Sequence, residues 1–169
     1  MKILSRVFWV IVALAVIAVG AVAVIGRETT LEALFGPIDR SKIDFAGLSR
    51  SDTENDYLVC PADLCQAAAD KVSPVFDMPV DTLKTRWQTM AMTQPRVEAA
   101  EAYPEENQFD FIQRSDLMRY PDTVTVRFIA LDDNTSTLAI YSRAHYGRRD
   151  FGVNRERIET WLAALDRAE

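Results

Sequence analysis

The chain is short of the residue types on which many chemistries depend. It has one histidine, His145, and two cysteines, Cys60 and Cys65, among 169 residues. A single imidazole restricts acid–base designs, and a metal site built on the cysteines would need two further ligands. Basic residues are outnumbered, 19 Lys and Arg against 25 Asp and Glu, for a net charge of −6. A nucleic-acid binder needs a basic face to displace counterions from phosphates, so that partner class is excluded. Gly-x-Ser-x-Gly, His-Glu-x-x-His, the P-loop and Gly-x-Gly-x-x-Gly are all missing. No cofactor, metal or catalytic residue is therefore expected.

Charge is also missing from one long stretch. Val7–Gly26 holds no charged residue, and at 1.5 Å per residue such a helix covers roughly 30 Å, the thickness of a bilayer's hydrocarbon core. Lys2 and Arg6 precede it, Trp9 sits near its start, and only Arg27, Glu28 and Glu32 follow closely. The positive-inside rule places residues 1–6 in the cytoplasm and everything after Gly26 outside, with membrane lipid as the partner of residues 7–26. A cleaved signal peptide is the alternative, since Ala21-Val22-Ala23 has the small-x-small form of a cleavage site and would release residues 1–23. The apolar run continues past that site and is longer than a signal-peptide core, which favours an anchor.

Residues 27–57 read as a juxtamembrane linker ending in the polar Ser49–Asp56 stretch, and a domain is expected over 58–169. Val80, Leu83, Trp87 and Met90 share one helical stripe between Met78 and Thr93. Period-two alternation marks strands around Phe109–Phe111, Val124–Phe128 and Leu138–Ile140, and Arg96–Ala102 forms a weaker first strand. Asp132-Asp133-Asn134 is a hairpin turn by composition. Ile158, Trp161, Leu162 and Leu165 lie on one face of a last helix, with Asn154 as its N-cap and Arg155 paired to Glu159. The expected fold class is α+β: one transmembrane helix, then a two-layer domain with an antiparallel three- to four-stranded meander flanked by an N-terminal and a C-terminal helix.

In an oxidising compartment, Cys60 and Cys65 most simply form a structural disulfide, with a redox thiol or a metal ligand as weaker readings. A Cys60–His145 dyad needs a free thiol. Glu98, Glu101, Glu105, Glu106 and Asp110 read as a solvated face, and would support acid–base hydrolysis only inside a cleft. The densest polar stretch is Ser142–Arg157, leading from a strand end into a helix start. Arg143, Tyr146, Asp150, Asn154, Arg155 and Arg157 are its candidate ligand-binding residues, because guanidinium groups beside a helix N-terminus suit an anion. The competing reading is structural, with Asp150 paired to an arginine and Asn154 capping the helix. The connection Arg114–Asp122 carries Leu117, Met118 and Tyr120 as a possible apolar contact surface.

The pattern Ser142-Arg143, Tyr146-Gly147, Asp150-Phe151-Gly152-Val153-Asn154-Arg155 and Arg157-Ile158-Glu159 resembles the signature of the family catalogued as domain of unknown function 1499. NDYLVCPADLC and Ser73–Phe76 resemble its bacterial members, and the resemblance covers approximately residues 44–165. It strengthens the fold and the domain limits and transfers no activity; its bacterial character, taken with the charge and hydropathy pattern, gives the expectation of a single-pass bacterial inner-membrane protein with a periplasmic domain. Three functional expectations follow. The first is a non-catalytic binding module for an anionic ligand, a lipid head group or a protein partner. The second is a structural accessory subunit of an envelope membrane complex, associating through the small residues around Gly20. The third is a hydrolase using acidic residues.

Overall fold

A computed structural model describes residues 2–50 and 52–166. The chain divides into two compact units, one running to Ile38 and one from Asp39 onward. The first holds helix α1 (Lys2–Ile25) and the short helix α2 (Arg27–Phe35). Over Ser5–Val22, α1 has a mean hydropathy of 2.3 and no buried residue, so it is long and apolar enough to cross a membrane.

The second unit is an α+β domain. Its strands are β1 (Asp56–Cys60), β2 (Lys71–Val72), β3 (Val97–Tyr103), β4 (Gln108–Arg114), β5 (Pro121–Ala130) and β6 (Ser136–Ala144). Helix α3 (Val80–Thr93) precedes β3, and α4 (Val153–Asp166) follows β6. The sheet order is β2-β1-β6-β5-β4-β3. The expected antiparallel meander is β3 to β6; β1 adds antiparallel to β6, and β2 adds parallel to β1. The sheet therefore has six strands rather than three or four. Tyr57, Leu58, Val59 and Cys60 are all buried, so β1 lacks the alternation that marks a half-exposed strand.

Both helices lie on one face, as their apolar stripes dictate. Leu83, Trp87 and Ala91 of α3 meet Ile158, Trp161, Leu162 and Leu165 of α4 over Val124, Val126, Phe128, Leu138 and Ile140. The Trp87 and Trp161 rings contact edge-to-face at 5.8 Å. The other face is covered as well. Ile43 and Phe45 are buried against Leu58, Cys60, Ala139 and Tyr141, so a strap upstream of residue 58 packs on the sheet. Arg40–Glu101 and Lys42–Glu106 ion pairs fasten that strap, and the Gln108 amide donates to the Ile43 carbonyl. Cys60 and Cys65 form a disulfide that closes the loop after β1.

Candidate functional site

The connection from β6 into α4 is built around Asp150. Its carboxylate accepts from the backbone N–H groups of Gly152 (2.9 Å) and Asn154 (2.8 Å) and from the Asn154 side-chain amide (2.8 Å). Phe151 and Gly152 between them are left-handed, with φ of 56° and 85°. Glycine adopts that conformation freely, whereas a residue with a Cβ does so at a cost. The Phe151 side chain is 94% exposed.

This corrects two sequence expectations. Asn154 is not the N-cap but the second residue of α4, fully buried, and the capping carboxylate belongs to Asp150. Because Asp150 occupies the helix N-terminus, a ligand anion has no free helix end to meet there. The Asn154 side chain faces inward, accepting from Ser142 and Arg157 and donating to the Asn55 carbonyl. Arg157 spreads its guanidinium over Gln113, Ser142, Asn154 and Asp122, with its side chain only 6% exposed. Burial pushes the Asp122 carboxyl up, and the Arg157 charge opposes that shift. Asn154 and Arg157 are thus spent on joining α4 to the sheet.

Arg143 and Tyr146 lie away from these groups. Side chains alternate along β6, so Arg143 shares Tyr141's face, over whose ring it sits at 5.8 Å, and it donates to the Asp39 carbonyl. Tyr146 contacts the Tyr120 ring edge-on. His145 lies within 2.6 Å of the Thr123 hydroxyl, and burial pushes its pKa down to about 4, with the Arg143 charge acting in the same direction.

Asp150 and Arg155 do share a cleft, of about 750 Å³, with a segment that sequence reasoning read as linker. Arg50, Asp52, Thr53, Glu54, Asp56 and Tyr57 form one wall, and Arg149–Gly152 with Arg155 form the other. A bridge between Glu54 and Arg149 and the bond from the Asp150 N–H to the Glu54 carbonyl hold the walls together. Most of the acids here are already engaged. Asp56 and Asp70 both pair with Arg50, Asp56 also accepts from the Tyr141 hydroxyl, and Glu54 faces Arg149 at 3.2 Å. Arg155 is different. Its expected pairing with Glu159 does not form, since Glu159 accepts from the Tyr57 hydroxyl at 3.1 Å. The Arg155 guanidinium lies over the Tyr57 ring at 5.4 Å, and among the described residues it has no acidic partner. Stacking on a ring orients a guanidinium while leaving its donors open.

Among the described residues the members of the acidic cluster have separate surroundings. Glu98 pairs with Arg114, Glu101 with Arg40 and Glu106 with Lys42 at the surface, while Asp110 is buried on its own. Among the described residues no group of three His, Cys, Asp or Glu is placed to hold a metal.

A family model described as a protein of unknown function, DUF1499, matches residues 51–165. No curated protein matches the chain. The match takes in both cleft walls except Arg50, and the whole buried network around Asn154.

Proposed function

The chain belongs to the DUF1499 family of proteins of unknown function, and on that premise we propose that its domain is a non-catalytic, membrane-anchored binding module. The cleft between residues 50–57 and 149–155 receives an anionic group on the ligand. One observation carries this reading: Arg155 stands in the cleft with its charge unpaired among the described residues and its guanidinium over the Tyr57 ring. Arg149, 69% exposed and loosely paired to Glu54, is placed to turn toward the same group. Asp52 and Glu54 at the rim suit a ligand that also carries a cationic end. Charge-assisted bonds to a guanidinium give both strength and orientation, which suits capture rather than turnover.

The location follows from the sequence. Lys2 and Arg6 precede the apolar helix and support a cytoplasmic N-terminus with the domain on the periplasmic side of the bacterial inner membrane. The Cys60–Cys65 disulfide agrees with an oxidising compartment.

Native mass spectrometry of the full-length protein, extracted from its own membrane, tests the reading. A discrete added mass on the wild type that is lost from R155A and reduced in R149A supports it. A bare wild-type chain, or an adduct indifferent to both substitutions, overturns it. A chain that travels with a second polypeptide would instead favour an accessory subunit.

A further inference from the structure

Two loops meet at one end of the sheet. The β4–β5 connection, 115–120, and the β6–α4 connection, 145–152, are joined there by the bond from the His145 N–H to the Pro121 carbonyl and by the Tyr120–Tyr146 ring contact. Each presents apolar side chains to solvent: Leu117 is 76% exposed, Met118 48% and Phe151 94%. Single exposed apolar residues need no explanation, but three large ones on adjoining loop tips do. Both tips also hold a non-glycine residue in the left-handed region, Arg119 at φ 62° and Phe151 at φ 56°. Arg148, on the same loop as Phe151, is exposed and has no acidic partner among the described residues, and Arg149 follows it. Arginines flanking apolar tips match a phospholipid surface, in which acyl chains lie beneath a layer of phosphates.

The chain's own course names the occupant. Asp39, the first residue of the domain, lies at this same end, its carbonyl bonded by Arg143. Only Gly26, the nine-residue helix α2 and a short extended piece separate it from the end of the apolar helix. At about 1.5 Å per helical residue and about 3.5 Å per extended one, that tether reaches no more than about 35 Å. The domain's first residue, at the loops' end of the sheet, is thus kept within about 35 Å of whichever bilayer holds α1.

We propose that loops 115–120 and 145–152 dock on the surface of the membrane that anchors the chain. Leu117, Met118 and Phe151 enter the interface, while Arg148 and Arg149 meet lipid phosphates. The inference rests on α1 spanning a membrane, and it makes the anionic group in the neighbouring Arg155 cleft a lipid phosphate.

The test uses the full chain in vesicles of phosphatidylcholine and phosphatidylglycerol. The native cysteines are bonded to each other, so a single cysteine from L117C, F151C or D133C carries an environment-sensitive fluorophore. Asp133 lies in the β5–β6 hairpin at the other end of the sheet and serves as the control. Bromine-labelled lipid acyl chains should quench the probe at 117 and 151 several-fold more than at 133. Equal quenching at all three positions, in a chain that resists carbonate extraction, overturns docking and leaves the anchor standing. A chain that carbonate extracts overturns the anchor and the docking with it. L117C sits on an exposed loop tip, so its result stands even if F151C misfolds.

Discussion

The amide oxygen of Asn154 accepts a hydrogen bond from the Arg157 guanidinium at 2.6 Å, one turn further along α4, and both side chains are buried. The same oxygen accepts from Ser142 on β6, and the same guanidinium reaches Asp122 on β5. A segment that looks made for ligands is therefore largely the joint between the last helix and the sheet. Buried polar groups of this kind are costly to leave half-satisfied.

R157A should destabilise the domain by about 3–5 kcal/mol, because Asp122 then keeps a buried charge without its partner. N154A should cost about 2–4 kcal/mol, since the Asn55 carbonyl, Ser142 and Arg157 each lose a bond. Urea titration followed by near-ultraviolet circular dichroism measures both. Losses under 1 kcal/mol would contradict the network.

Phe151 holds a backbone conformation that glycine accepts without penalty. F151G should leave stability unchanged or raise it by up to about 1 kcal/mol, relieving the left-handed cost. The same substitution should reduce vesicle quenching at a probe on residue 117. A large loss of stability would show that the exposed ring has a packing role.

Stability should depend on pH through His145. Its folded pKa of about 4 lies below the ordinary value of 6.5, so between those values the unfolded chain binds the extra proton. Its contribution is present above about pH 6.5 and is lost as pH falls toward 4. The difference in urea midpoint between wild type and H145Q should therefore rise with pH across that window. Asp110 acts in the opposite sense. Burial raises its pKa above the ordinary 3.8, so its contribution is lost as pH rises, and D110N should be relatively more stable at neutral pH. Flat difference curves would refute both assignments.

The Cys60–Cys65 loop is short, the two cysteines being five positions apart in sequence. The double variant C60S/C65S should lose about 2 kcal/mol by the chain-entropy estimate and keep the fold. A thermal melt with and without reductant checks this; complete unfolding would mean that the bridge organises β1.

The elements that were legible in the sequence are those whose apolar residues keep a helical or two-residue period, including β5 and β6, which are buried on both faces. Val80–Thr93 and Val153–Asp166 carry clear apolar stripes, and the meander strands alternate. β1 escaped because Tyr57-Leu58-Val59-Cys60 carries no apolar–polar alternation, and the strap at Ile43–Phe45 escaped because its burial comes from tertiary packing on Leu58 and Tyr141. The cleft was half legible. Asp150 and Arg155 stood out, but Arg50 and Tyr57 lie about a hundred positions earlier, and only the pairing of β1 with β6 brings them together. One signal was present and passed over. Arg157 shares the helical stripe of Asn154, Ile158 and Trp161, which marks it as inward-facing, whereas Arg155 falls on the outer face.

The place of β1 in the sheet has a consequence for how the domain comes into being. Its neighbour β6 and its anchor Asn154 lie near the other end of the chain, so β6 and the start of α4 must be made before β1 is held there. Closure over such a separation is slow compared with hairpin formation. A nascent chain emerging behind α1 therefore carries Tyr57–Cys60 unprotected until synthesis is almost finished. Truncation anywhere before α4 should then leave that strand as a template for aggregation rather than yield a smaller stable domain.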